Sequence, residues 1–549
     1  MNVRLSNKVD RVLRAWGITE IPFSEKVVAE QKNSRLRQIF TGREADLGDA
    51  LLLLRSAERR RLLVCGWLGI GKSAFILRLL DELKQREPRA LIAYISLPEK
   101  TDLVTCALVA LARELKNHRW ARQLLTGMGL SAGAWTSSFS GQLGLPHARA
   151  GVRVEREPAV APQYPAVCFE EILRGALKHH SRVVIAIDDL DKRDPAHIRE
   201  LLQNAQGMLS GRASFILTGP PAGLTLQARA LGLFDLSIHL EPLELAEMRD
   251  MLAKYLNSVR CRRSPSRNRT FYPFVDEAAT LLCERSEGVP RYFNKFGTYA
   301  MLWAFKVRAE LIDRQVFEDG LSYGSKLALG APQLTAQERC VLDLVIQRGV
   351  LSDDKIRLDD LKRLDFREFN EVLPILESLF QQDLVRRLPS DHATRFGLSP
   401  LVRPFKIVIS SAKELGGQRQ ELDQLLRAIL RGHSWPTAWS IVWMPDDAEP
   451  TESNLATVRD SDVFVAAFGV KGGVGPAVER ECSEAIKTKR VVLVFAQTMA
   501  DGVNPPSDVA AMLSRLNLKP ELFKDPAEFM VLVAEALATR LRDFWSRLN

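Results

Sequence analysis

The chain has 549 residues, too many for one hydrophobic core, and the length points to three or four domains. Apolar residues at 46% and charged residues at 26% are the balance of folded protein and exclude an extended disordered chain. The net charge of +9 is compatible with nucleic acid, but basicity alone does not establish such a partner.

Residues 1 to about 40 read as helical and basic, with a break at Pro22 in GITEIPFSE. FTGREADL, Phe40 to Leu47, reads as a helix start with acids in its first turn. The apolar strand Leu62, Leu63, Val64 then runs into a turn that spells G-x-x-x-x-G-K-S: Gly66, Gly69, Gly71, Lys72 and Ser73. Glycine lets a backbone fold around phosphates and turn its N–H groups toward them. Lys72 is then expected to reach the β- and γ-phosphates of ATP, and the Ser73 hydroxyl to hold Mg²⁺. The helix that follows points its positive end at the anion.

A second strand is expected over Leu91 to Ser96 and an amphipathic helix over Leu103 to Lys116. Asn117 to Pro165 reads as an insertion, part hairpin and part loop, that either serves as a sensing or assembly surface or is neutral. In SRVVIAIDDLDK, Ser181 to Lys192, a continuous apolar run marks a central parallel strand, and acids at its C-terminal end face the phosphate loop. Asp188 is the expected Mg²⁺ residue, acting through water. SFILTG, from Ser214, is the next strand, and Leu243 to Asn257 is an amphipathic helix. Arg260, Arg262, Arg263, Arg267 and Arg269 then form the densest positive cluster, either a nucleic-acid contact or a solvated loop. In EGVPRYFNKF, Pro290 suits a first helical turn, because its missing N–H is not needed there.

From residue 332 the pattern changes. Thr335 and Glu338 form a capping box, Gly349 stops that helix, and helices near Leu358–Leu364 and Phe366–Gln381 precede a hairpin with its turn at Ser390 and Asp391. From Phe405 onward, KIVISS, SIVWMP, DVFVAAFG and VVLVFAQ alternate with helices, and PAEFMVLVAEALATRLRDFWSRL closes the chain. That alternation predicts a parallel sheet of flavodoxin-like type. The seven cysteines show no C-x-x-C and read as reduced thiols of a cytoplasmic protein. Neither a signal peptide nor a membrane span is expected.

Several of these pieces resemble known families. The F-x-G-R-E-x-x-L box ahead of the phosphate loop resembles that of AAA+ and STAND ATPases, and the resemblance implies that Gly42 and Arg43 lie near adenine. It also implies that Asp189 stands where hydrolysing relatives carry a water-polarising glutamate, that Thr218 is a sensor-1 residue near the γ-phosphate, and that Arg229 is a candidate arginine finger. The G-x-P-R piece resembles the sensor-2 helix of origin-recognition-type AAA+ lids, which would bring Arg291 to the phosphates. Residues 332–400 resemble a winged helix, which in relatives either binds DNA or braces an autoinhibited state. The acid-rich third helix, the one in the recognition position (Arg367, Glu368, Glu371, Glu377), favours the brace. VISSAKELGGQRQEL, VRDSDVFVAAFG and GPAVERECSEAIKTKRVVLVF resemble a TIR-like domain. In its enzymes a glutamate works at the anomeric carbon of a nucleoside or NAD⁺ ribose. Glu481 is the first choice for that role and Glu479 the second, with Glu484 and Ala485 completing the E-x-E-x-x-E-A pattern. Asp462, Ser410 and Ser411 are expected to line the same pocket; a purely binding role for this domain stays open.

The expectation is therefore an α/β multidomain protein. Residues 1–39 are a helical extension, 40–242 a P-loop ATPase core with its insertion at 117–165, 243–330 a helical lid, 331–403 a winged-helix-like domain and 404–549 a TIR-like α/β domain. The expected function is that of a signalling or antiphage-defence ATPase. ATP and Mg²⁺ binding would control homo-oligomerisation, and an unknown trigger (a phage protein or nucleic acid) would release an effector that cleaves NAD⁺ or a nucleotide. The alternative is a DNA-associated AAA+ initiator-type regulator whose C-terminal domain binds protein or nucleotide.

Overall fold

The structure is a computed structural model and describes residues 12–24, 34–56, 59–97, 101–130, 164–190, 195–219, 232–261, 269–330, 334–354, 356–388, 395–402, 404–411, 421–426, 439–444, 451–470, 474, 476–488, 490–499 and 504–548. The chain divides into two compact units, Met1–Gly320 and Leu321–Asn549.

In the first unit, helices α1 (Ser34–Ile39) and α2 (Glu44–Ser56) lead into strand β1 (Arg61–Cys65) and helix α3 (Lys72–Arg86). Then come β2 (Leu91–Ser96), α4 (Leu103–Glu114), α5 (Arg119–Gly127), α6 (Pro165–Ala176) and β3 (Val183–Asp188). Helix α7 (Pro195–Asn204), β4 (Ser214–Gly219) and β5 (Leu236–His239) complete the core. The five strands are parallel in the order β2-β3-β4-β1-β5. Strand alternation sends Leu63, Val183, Ile185 and Ile187 to one core layer under α4 and α6. Leu62, Val64, Val184 and Ala186 go to the other layer under α2 and α3. A strand sandwiched this way must be apolar on both sides, and all six residues of β3 are buried.

Two expectations change here. The start of the supposed insertion is helix α5, whose Ala121 and Leu125 are buried in the core. Strand β5 was not anticipated, since only Ile238 of its four residues is buried, which is the pattern of an edge. The rest of the insertion, with its GVRVERE piece, and Arg229 lie outside the described residues.

Helices α8 (Leu245–Ser258), α9 (Asp276–Arg285) and α10 (Pro290–Val307) follow β5 in the first unit. Residues 16–24 are clipped onto these helices. Ile18 makes a β-bridge with Arg260, the Trp16 indole N–H donates to the Glu310 carbonyl at 3.1 Å, and Phe23 stands edge-on to Phe293 and Phe274. A methyl on Gly297 would lie 2.4 Å from the Phe23 ring, so only glycine lets the strap seat there. Helix α11 (Arg314–Gly330) spans the division between the units.

The second unit opens with α12 (Ala336–Arg348), β6 (Val350–Ser352), α13 (Leu358–Arg363), α14 (Phe369–Gln381), β7 (Val385–Leu388) and β8 (Arg395–Leu398). The strands form an antiparallel sheet in the order β6-β8-β7. The Thr335–Glu338 capping box is present, and its glutamate also accepts from Ser378 at 2.7 Å, tying α12 to α14. The expected turn at Ser390 and Asp391 lies outside the described residues.

Strands β9 (Phe405–Ser411), β10 (Trp439–Trp443), β11 (Val463–Phe468), β12 (Val491–Gln497) and β13 (Glu521–Phe523) form a second parallel sheet, ordered β10-β9-β11-β12-β13. Helices α15 (Glu452–Arg459), α16 (Pro476–Lys487), α17 (Ser507–Arg515) and α18 (Pro526–Leu548) accompany it. The strand order, second-first-third-fourth-fifth, is one of the two common doubly wound arrangements.

Candidate nucleotide site and a second carboxylate cluster

Strand β1 ends at Cys65 and the chain turns through Gly66 to Gly71 into α3. Gly69 (φ 83°) and Gly71 (φ 102°) hold left-handed conformations, which is what the glycines at those positions permit. Gly71 is the N-cap of α3 without a side-chain cap, so the first N–H groups of the helix face the turn. Lys72, 6% exposed, donates to the carbonyls of Gly66 at 2.7 Å and Trp67 at 3.0 Å, which holds its charge inside the loop. Ser73 is the next residue of α3.

Asp188 ends β3 and is 2% exposed. Its Oδ1 accepts from the Thr218 hydroxyl at 2.9 Å and the Asp189 N–H at 2.8 Å, and its Oδ2 accepts from the Tyr94 hydroxyl at 2.7 Å. Tyr94 sits on β2 and Thr218 on β4, so each strand beside β3 contributes one donor. Burial, reinforced by the Asp188 charge, pushes the Tyr94 phenol well above its ordinary value, so it remains a donor. Thr218, expected beside the γ-phosphate, gives its hydroxyl to Asp188. Asp189 has φ 66°, a conformation that aspartate tolerates better than most side chains. Tyr94 was missed in sequence; a tyrosine in an apolar strand is unremarkable until strand pairing sets it beside an acid.

Arg291 enters from the first turn of α10. Its N–H donates to the Gly69 carbonyl at 3.2 Å, and a methyl on Gly69 would lie 2.6 Å from Arg291 Cβ. The helix that the G-x-P-R piece predicts therefore starts directly on the phosphate loop. Gly42 (φ 76°) is covered by α8, where a methyl would lie 2.6 Å from Glu247 Oε1. The Arg43 guanidinium, 7% exposed, donates to the Glu241 carbonyl at 2.6 Å and the Ile70 carbonyl at 3.4 Å. The loop glycines, the buried ammonium and the buried carboxylate at the end of β3, two strands from β1, form a donor set that fits Mg·ATP.

In the arginine cluster, Arg260 donates to the carbonyls of Arg269 at 2.6 Å and Thr270 at 2.8 Å, so it staples a loop. Arg262, Arg263 and Arg267 lie outside the described residues. On α14, Glu377 pairs with Arg387 of β7.

The second cluster lies on α16. Glu479 pairs with Arg515 at 2.7 Å at the surface, and Glu484, half-buried, pairs with Arg459 at 2.5 Å. Glu481, 1% exposed, shares the buried face with Ala477, Cys482 and Ala485. Burial, then the charges of Glu481 and Glu479, pushes the Cys482 thiol up to about 12. Ser410 and Ser411 are buried at the C-terminal end of β9. Asp462 does not join them. Its Oδ2 accepts from Lys406 N–H at 2.8 Å, and its own N–H donates to the Lys406 carbonyl at 2.8 Å, at the N-terminal end of the strands. Five steps along the strand separate Lys406 from Ser411, about 16 Å at the usual rise. The expected grouping fails because Asp462 precedes its strand, whereas the serines end theirs.

Among the described residues no helix is long and apolar enough to cross a membrane. Residues 39–216 match the AAA ATPase domain. No curated protein matches the chain. Solved structures similar to it include the Aeropyrum pernix ORC1 protein in complex with DNA, at 15% identity and TM-score 0.38, covering 68% of this chain and 92% of that one. Cdc6p from Pyrobaculum aerophilum shows 14% identity and TM-score 0.35, covering 70% and 95%. The Thermotoga maritima RuvB Holliday junction branch migration motor shows 17% identity and TM-score 0.32, covering 64% and 91%. At these TM-scores none of the three likenesses carries weight.

Proposed function

We propose that this protein is an ATP-operated switch whose AAA ATPase domain controls self-association and, through it, a C-terminal effector. The observation that carries the reading is the seating of Arg291 and the start of α10 on Gly69, which sets the lid directly against the phosphate loop. The backbone of Gly66 to Gly71 would cradle the phosphates, Lys72 would hold the β- and γ-phosphates, and Ser73 and Asp188 would hold Mg²⁺. When bound, Mg²⁺ supplies neutralisation of phosphate charge. Asp189 would orient the attacking water and accept its proton; Thr218 and Tyr94 fix the Asp188 carboxylate, and Arg291 closes the site from the lid. A lid that reads the phosphates turns nucleotide state into interdomain geometry.

Residues 331–403 are read as a winged-helix-like brace and 404–549 as a TIR-like effector acting on NAD⁺ or a nucleotide, with an unknown trigger. The three-stranded antiparallel sheet with α12, α13 and α14 supports the first reading, and the doubly wound parallel sheet supports the second. Glu481 is the favoured catalytic carboxylate, because it lies on the buried face of α16, whereas Glu479 pairs with Arg515 and Glu484 with Arg459. The DNA-associated alternative has less support: Glu377 of α14 is paired within the domain and Arg260 staples its own loop.

The test is ATP binding and ATP-dependent assembly of the full chain, with Lys72→Ala, followed by NAD⁺ loss at high protein concentration with Glu481→Gln and Glu479→Gln. Unchanged nucleotide affinity in Lys72→Ala would sink the ATP site. Assembly without NAD⁺ loss would move the C-terminal domain to a binding role, and salt-sensitive DNA binding would restore the regulator reading.

A further inference from the structure

We infer that Arg43 is a positioning residue that makes the lid hinge follow the phosphate loop, in place of the adenine contact its motif suggests. The guanidinium lies between two carbonyls from different parts of the unit. Ile70 belongs to the phosphate loop, and Glu241 to the short connection between β5 and α8. Both bonds leave one terminal nitrogen, Nη2, and a lysine ammonium on its stem stops one bond short of that position. The hinge continues from there. Leu243 N–H donates to the Gly288 carbonyl at 2.9 Å, and a methyl on Gly288 (φ 72°) would lie 2.3 Å from the Leu243 carbonyl oxygen. Three residues after Gly288, Arg291 N–H returns to Gly69 at 3.2 Å. Phosphate loop, Arg43, both ends of the lid hinge and the loop again thus form a closed ring of contacts.

The residues around Arg43 are gripped from the lid side. Lys254 of α8 donates to the Phe40 carbonyl at 3.1 Å and the Thr41 hydroxyl at 3.0 Å, and Gly42 has no room for a side chain against Glu247 and Leu243. Burial lowers the Arg43 pKa, and Asp46, Glu247 and Glu241 oppose that shift, so the charge is retained at neutral pH. A residue held this way transmits displacement, since a shift of Ile70 moves Glu241 through the shared guanidinium.

The inference rests on the ATP-site reading. The experiment is hydrogen exchange on the full chain with and without Mg·ATP, following peptides over 66–72 and over 241–243 and 288–293, in wild type, Arg43→Lys, Arg43→Met and Lys72→Ala. In wild type, ATP protects both regions. In Arg43→Lys and Arg43→Met the loop stays protected, while ATP-induced protection of the hinge peptides falls about tenfold, the scale of a lost hydrogen bond to a charged group. Arg43→Lys keeps the charge and the folded chain, so it reports even if Arg43→Met does not fold. Hinge protection equal to wild type in the variants overturns the inference. Loss of protection at both regions also overturns it, because Arg43 is then part of the nucleotide pocket. If wild type gains no protection at the loop, or Lys72→Ala gains as much as wild type, the ATP-site reading fails and the inference with it.

Discussion

The Tyr94 hydroxyl donates to Asp188 Oδ2 at 2.7 Å, from the strand next to the one that carries the acid. With Thr218 on the other side, it leaves the carboxylate one orientation across the sheet edge. Tyr94→Phe removes one donor from a buried charged acceptor, a cost of about 1–3 kcal/mol. The expected result is a higher Mg²⁺ concentration for half-maximal ATP turnover, by about tenfold, with nucleotide binding in EDTA unchanged. An unaltered Mg²⁺ titration would show that Asp188 is oriented without Tyr94.

Gly69→Ala is expected to uncouple the lid. The left-handed backbone alone costs an L-residue about 1–2 kcal/mol, and the new methyl meets Arg291 Cβ at 2.6 Å. ATP-dependent assembly should be lost. Sedimentation with and without ATP checks this, and wild-type assembly by Gly69→Ala would mean that the lid does not need to sit on the loop.

The helical part of the second unit should weaken in acid. The Thr335 backbone N–H and the Ser378 hydroxyl hold the Glu338 carboxyl below its ordinary value of 4.5. A depressed folded pKa contributes stability that is present above the ordinary value and lost as pH falls through the folded one. Urea midpoints measured from pH 6 down to pH 3 should fall less steeply in Glu338→Gln. Parallel slopes in the two proteins would show that Glu338 carries no linkage.

Thiol reactivity should separate the cysteines. Burial pushes Cys106, Cys283 and Cys482 up to about 12, whereas Cys340 is exposed on α12. At pH 8 a thiol of that kind is thiolate in about one molecule in ten thousand. Iodoacetamide with mass spectrometry should label Cys340 first and leave those three unlabelled while the chain is folded. Early labelling of Cys482 would place α16 off its sheet.

Much of the architecture was legible because it depends on local pattern. Continuous apolar runs bounded by turns located β2, β3, β4, β9 and β12, since a strand covered on both faces tolerates few polar residues. Glycine and capping chemistry located the starts of α3, α10 and α12. Strand β5 escaped because an edge strand with one buried residue has too little pattern to read.

The sites divide along the same line. Gly66, Gly69, Gly71, Lys72, Ser73 and Asp188 follow from a contiguous motif and a strand end, where covalent sequence sets the geometry. Tyr94 beside Asp188, Arg43 between Ile70 and Glu241, Arg291 on Gly69, and Asp462 at the other strand end from Ser411 are relationships between segments that only the packed fold brings together or separates. Periodicity names the face a side chain takes. Which neighbour it meets there depends on strand order and hinge position, and those are properties of the whole core.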